Sequence, residues 1–160
     1  MPQPRIRLRA CAFRRPTRQN GCVVATHKHT VVTRGQGDAH DISARVAAAV
    51  ADSGLKAGTV TVFVVGSTAA ITTIEFEPGA ISDFNELFEG LAPRAAAYEH
   101  HKRWGDDNGS SHVRAALLGP SLTVPVVNGR LMLGEWQQIM LIEFDTRARR
   151  REIVVQLVGE

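Results

Sequence analysis

A series of β-branched, partly alternating runs, each closed by a glycine or proline signal, limits this chain to an architecture built on short strands. The run Cys22-Val23-Val24-Ala25-Thr26 through Val31-Val32 reads as one strand, punctuated by Gly35 and Gly37. Gly58 opens a segment at 59–65 apolar enough for a central strand, and 70–76, rich in Ile and Thr, reads as its neighbour. Residues 121–127 and 130–133 flank Asn128-Gly129, the strongest short hairpin signal. Two further alternating segments occupy 136–144 and 151–158.

Helices fill the gaps. Asp38 or Asp41 caps one that runs to about Ser53 and stops at Gly54. Pro78-Gly79 ends the strand before a second, amphipathic helix over 80–98, which Pro93 breaks or restarts. Residues 100–109 read as a polar loop, after which Ser110 or Ser111 caps a helix through Leu118, closed by Gly119-Pro120. The expected class is therefore α+β, ending in an antiparallel meander.

Length and composition fit one ordinary globular unit: 160 residues, 44% hydrophobic and 22% charged. No apolar run approaches the roughly 20 residues of a membrane-spanning helix. The net charge of +3 is misleading, because residues 1–20 hold six arginines and no acid or lysine. Without those six, residues 21–160 carry a charge of −3. Residues 1–21 are thus expected to be a basic extension and 22–160 a single domain. Cys11 and Cys22 make no disulfide framework and read as reduced thiols of a cytoplasmic protein.

The densest polar cluster runs from His100 to His112 through Asp106, Asp107 and Asn108, and contains three of the six histidines. Histidine with carboxylate supplies either proton transfer near neutral pH or metal ligands. The spacing matches no standard zinc signature, and a solvated charged loop explains it as well. His112 falls in the first turn of its helix, where an anion is favoured beside it, or it is a capped core histidine. The break Gly66-Ser67-Thr68 exposes hydroxyls and backbone N–H groups able to hold phosphate or carboxylate oxygens, though it is no P-loop. Glu75, among apolar neighbours, is either paired or at an edge. Along 136–144, Trp136 and Phe144 share a face that reads as core, whereas Gln137 and Glu143 read as pocket wall or subunit interface. The run of Arg147, Arg149, Arg150 and Arg151 is a solvated turn or a phosphate holder.

Ser110-Ser111-His112-Val113-Arg114-Ala115-Ala116-Leu117-Leu118-Gly119-Pro120-Ser121, Val124-Pro125-Val126, Asn128-Gly129 and Leu133-Gly134-Glu135-Trp136-Gln137-Gln138-Ile139 closely resemble the signature of the YjbQ family. Glu143-Phe144-Asp145, Arg149-Arg150-Arg151 and Gly159-Glu160 extend the match, with Asp41-Ile42, Ser67-Thr68-Ala69, Glu75, Tyr98 and His100 upstream. The resemblance implies a β-sandwich of mostly antiparallel strands with flanking helices, assembled as a homotrimer. It also implies a pocket at Glu75, His100, Asp107, Asn108 and His112. The activity it suggests is that of a secondary thiamine-phosphate synthase, in which a pyrimidine methyl carbon loses pyrophosphate and is captured by the nitrogen of thiazole phosphate. Two departures stand out. Gly66 replaces a histidine that many members carry, and Asp106-Asp107-Asn108-Gly109 replaces aspartate-aspartate-methionine-proline in a loop one residue longer.

On this basis His100, His112 and Glu75 are the candidate catalytic residues. Ser67, Thr68, Asn108, Arg114 and Gln137 are candidate substrate contacts, with Arg114 or the Arg149–Arg151 run neutralising phosphate. A divalent metal is expected on His100, His112 and Asp107. The alternative is a non-catalytic trimer that binds a small anionic metabolite or a metal at the same pocket. Nucleic-acid binding through the basic extension is the weakest option, since the body is acidic and aromatics are only 6%.

Overall fold

Two antiparallel sheets share one core in the computed structural model, which describes residues 17–19 and 21–160. The larger sheet takes the order β1 (Thr17–Gln19), β2 (Cys22–Val32), β9 (Arg150–Gly159), β4 (Ala57–Val65), β6 (Ser121–Val127), β7 (Arg130–Leu131). The smaller is β3 (Ala39–Asp41), β8 (Gln138–Glu143), β5 (Ala69–Ile74). The expected α+β class with a β-sandwich and flanking helices is what the chain adopts. β1 lies inside the expected basic extension and pairs with β2, Thr17 opposite Val24. Of the six arginines of that extension all but Arg18 lie outside the described residues, as does Cys11.

The layers follow from alternation. Val23, Ala25 and Val31 of β2, Val60, Val62 and Val64 of β4, and Ile153, Val155 and Leu157 of β9 point inward. They meet Ile71, Ile139 and Leu141 of the small sheet and Val46, Ala49 and Val50 of α1 (Ser43–Ser53). The opposite face of the small sheet, with Ala70, Met140, Ile142 and Phe144, is covered by Phe88 of α2 (Pro78–Leu91) and Ala115 of α4 (Gly109–Leu118). The helix boundaries have local causes. Asp41 accepts the Ser43 N–H at 2.8 Å and Gly54 closes α1 in the left-handed region at φ 70°. Pro78 is the first residue of α2, and the Glu77 carboxylate caps it by accepting the N–H groups of Gly79 and Ala80. No helix among the described residues is long and apolar enough to cross a membrane.

Several expectations are corrected. β5 does not neighbour β4; the chain crosses between sheets at Gly66–Thr68, where Phe144 N donates to Thr68 O at 2.9 Å. No terminal meander forms. β8 is apolar on both faces and needs cover on both, so it enters the small sheet, while β9 inserts between β2 and β4. Trp136 is 64% exposed, because the strand begins only at Gln138 and residues 134–137 turn with Gln137 N donating to Gly134 O. Phe144 is core, as expected. Pro78-Gly79 starts a helix that ends at Leu91, and the expected loop contains α3 (Glu99–Trp104).

Candidate functional site

α3 ends at Trp104, capped by Gly105, and α4 begins at Gly109, so a short turn folds the two helices against each other. Contact is close because Gly109 lacks a side chain: a Cβ there would lie 2.5 Å from Tyr98 Cβ. The Gly109 N–H donates to His101 Nε2 at 3.1 Å, which requires that nitrogen to be unprotonated. His101 thereby satisfies the first free N–H of α4 from the neighbouring helix. Sequence reading gave it no such role.

This packing brings His100 and His112 together, ring centroids 4.5 Å apart and tilted by 47°. His100 Nε2 faces Asp106 Oδ1 at 3.5 Å, an electrostatic contact too long for a good hydrogen bond. Burial and the neighbouring His100 lower the His112 pKa below 6.5, against the opposing pull of Asp106 and Asp145. His112 is therefore poised as a neutral imidazole near neutral pH, able to accept a proton.

Around the pair, buried polar groups lack partners. Ser110 and Ser111 are 1% and 0% exposed, yet neither hydroxyl makes a hydrogen bond among the described residues. The same holds for Asn108 Oδ1 and Asp106 Oδ1. Native proteins pair nearly all such groups, so this set calls for partners from outside the chain, ordered water or a ligand.

A second polar cluster borders this corner and is almost fully paired. Arg151 Nε and Nη2 donate to Glu143 at 2.7 and 2.6 Å, and Nη2 also donates to Thr68 Oγ1 at 2.7 Å. Thr68 Oγ1 in turn donates to Asp145 at 2.9 Å. Thr33 Oγ1 donates to Glu143 at 2.8 Å, tying β2 to β8. Burial works against the Asp145 charge, but hydrogen bonds from Arg149, Thr68 and the Arg147 N–H outweigh it and hold its pKa below 3.8. Asp145 thus stays ionised and joins the clasp to His112 electrostatically. Glu143, expected at a pocket wall or interface, is 0% exposed inside this clasp, because Arg151 neutralises it. The Arg149–Arg151 run is likewise no solvated turn at Arg151, which is buried.

The remaining candidates divide clearly. Thr68 and Asn108 are buried at the site, and Ser67 is exposed beside Thr68. Arg114 is buried on α4, with Nε and Nη2 donating to Ala92 O and Nη2 to Glu89 at 2.7 Å. It closes the end of α2 against α4, so those N–H groups are engaged in structure rather than offered to substrate. Hydrogen bonds from Arg114 first, then Arg94, lower Glu89 to about 2. Glu75 is exposed past the end of β5, with no side-chain hydrogen bond among the described residues. It sits about 20 Å along the chain from Thr68 at the rise of an extended strand. Gln137 braces the turn before β8, accepting from Gly134 N and donating to Thr73 Oγ1. Asp107 is exposed, and His100 faces Asp106 instead. Among the described residues no group of three or more His, Cys, Asp or Glu could hold a metal ion. Of the expected set, His100 and His112 are brought together.

The chain is a two-sheet α+β sandwich with a histidine corner between two helices, and comparison with known proteins gives its family. The family model described as "UPF0047 protein YjbQ-like" matches residues 27–160. The chain belongs to the YjbQ/UPF0047 family. The UPF0047 protein of Methanothermobacter thermautotrophicus is 42% identical over 120 residues, 75% of this chain and 82% of that protein. The UPF0047 protein YjbQ of Salmonella typhimurium is 36% identical over 107 residues, 66% and 77% of the two chains. A solved structure from Sulfolobus solfataricus, of a protein described as of unknown function, superposes with TM-score 0.77 at 31% identity, covering 86% of this chain and 99% of that one. A YjbQ/UPF0047 family protein from Clostridium acetobutylicum gives TM-score 0.73 at 30% identity, covering 82% and 98%.

Proposed function

We propose that the α3–α4 corner binds the phosphate-bearing end of a small metabolite and that His112, assisted by His100, moves a proton there. The reaction class is a transferase of the thiamine-phosphate synthase kind, joining a pyrimidine methyl carbon to the nitrogen of thiazole phosphate as pyrophosphate leaves. What carries this is the His100–His112 imidazole pair on the same turn and helix start as buried oxygens without a hydrogen bond: the Ser110 and Ser111 hydroxyls, able to donate to phosphate oxygens, and Asp106 Oδ1 and Asn108 Oδ1, able to accept from N–H or O–H groups elsewhere on the ligand. Hydroxyls and an amide can orient a ligand, and a neutral histidine next to a second one can take or return a proton. No step is assigned to a metal. The coupling assay with pyrimidine diphosphate and thiazole phosphate tests the reaction. Full-length protein should form product, and His112→Gln should lower the rate about 100-fold or more. A folded wild-type protein that forms none overturns the transferase reading.

The second reading, a non-catalytic binder of a small anionic metabolite, is favoured by Gly66. That position supplies no side chain where many members of the family carry histidine, which leaves one proton-moving group fewer. Binding of thiazole phosphate without turnover would select it.

The protomer is proposed to act as a homotrimer in the cytoplasm. The outer face of the large sheet carries exposed Val24, Phe63, Val65, Val127 and Val158, uncovered by any described element. They form two apolar patches, Val24, Val127 and Val158 at one end and Phe63 and Val65 at the other, separated by a polar belt of Thr26, Gln156, Thr61 and Thr123, and exposed apolar sheet surface of this kind supports an interface with copies of the same chain. Light scattering on the eluting protein should give about three times 17.4 kDa; a monomer mass would refute the trimer.

A further inference from the structure

An arginine guanidinium has five N–H donors. In Arg151 three bonds to Glu143 and Thr68 engage Nε and Nη2, and Nη1 makes none among the described residues. The side chain is only 8% exposed, yet Nη1 is not one of the sealed, partnerless polar atoms, so this corner still reaches solvent. It does so beside Gly66, which is exposed: a Cβ at residue 66 would stand 2.7 Å from Nη1. Glycine keeps the corner clear, and the clasp holds it rigidly in place.

We propose that Arg151 Nη1, open past Gly66, is a subsite for a phosphate oxygen. A planar donor fixed by a buried carboxylate is preorganised for one, because the ordering of the side chain is already complete before the ligand arrives. Position supports the assignment. Arg151 Nη2 donates to Thr68, Thr68 donates to Asp145, and Asp145 acts on His112. The subsite therefore lies at the clasp end of the histidine corner, and the inference rests on the proposed function for the identity of the remainder of the ligand. Charged groups facing the guanidinium are Glu143, in contact with it, and Asp145, 3.9 Å from Nη2 and itself paired with Arg149 at 2.9 Å. Their charges balance, so recognition comes from directed N–H donors rather than from net charge.

Inorganic phosphate is the probe, titrated into the full chain while the arginine side-chain nitrogen resonances are followed by NMR. The Arg151 Nη signals should shift saturably, and pyrophosphate should act at the same resonance. Gly66→Ala places a methyl against Nη1 and should weaken phosphate binding roughly tenfold, the size of one charge-assisted hydrogen bond. An unshifted Arg151 in the wild-type protein overturns the proposal without recourse to any variant. Phosphate binding that survives Gly66→Ala but is lost in His100→Ala overturns the subsite while leaving the histidine site standing. Loss in Gly66→Ala, with an Arg151 shift retained in His100→Ala, supports the subsite independently of the histidines.

Discussion

Two buried polar regions lie side by side in this protein and are built on opposite rules. In the clasp, Glu143, Asp145, Thr33 and Thr68 all have hydrogen-bond partners, and Arg151 is held by three bonds. In the α3–α4 corner, Asp106, Asn108, Ser110 and Ser111 each present a buried oxygen with none. A satisfied network holds elements together, here β2, β8, β9 and the crossover between the sheets. An unsatisfied one lowers the stability of the empty protein and is explained by what it receives. Structure is concentrated in the first region, whose one proposed ligand contact is Arg151 Nη1, and the other proposed contacts lie in the second; Thr68 and Asp145 connect the two.

Breaking the clasp should have the largest effect. Arg151→Met leaves Glu143 buried without its cation and should cost about 3–5 kcal/mol in urea unfolding, whereas the double change with Glu143→Leu should recover most of that. If the single change were tolerated, the clasp would not be the structural half of the pair. Next comes the helix contact: Gly109→Ala drives a methyl into Tyr98 and should cost about 1–3 kcal/mol by the same measurement.

The corner should respond with the other sign. Ser111→Ala removes a buried hydroxyl that has no partner, so the unliganded protein should gain about 1 kcal/mol while ligand affinity falls. A loss of stability on this change would mean that the hydroxyl is satisfied and the contrast false. The smallest effect is electrostatic. The folded-state pKa of His112 lies below 6.5, so the folded protein binds its proton less readily than the unfolded chain. The stability this contributes is complete above about pH 6.5 and is lost as pH falls through the lowered pKa. Removing the like charge by His100→Gln should raise the His112 pKa, read directly from its ring proton shifts. An unchanged value would show that the two rings do not interact.

Much of the fold was legible because local signals were strong. Asn128-Gly129 turns the β6–β7 hairpin with both residues at positive φ, 52° and 72°. Gly54 ends α1 and Pro93 lies just past the end of α2, as local rules require. Partnership between strands was not legible. Nothing local to β5 tells that it leaves the sheet of β4, since both would be apolar either way; only the double-faced burial of β8 demands a second sheet. The site divides similarly. His100 and His112 could be paired from their cluster and the first-turn position of α4. The choice of Asp106 over Asp107 depends on the left-handed Gly105 that reverses the chain. Arg151 and Glu143 are eight residues apart in different sheets, and their pairing depends on tertiary placement. Glu143-Phe144-Asp145 and the arginine run were visible as patterns, but a buried ion pair leaves no periodicity of its own.

The most direct test of the contrast is a backbone-amide NMR titration of the full chain with thiazole phosphate. Saturable shifts concentrated at His100 and residues 106–112, together with Thr68 and Asp145, are the predicted result. Shifts confined to the turn at Gln137 and to Thr73, or no saturable shift anywhere, would contradict the assignment of ligand binding to the unpartnered corner.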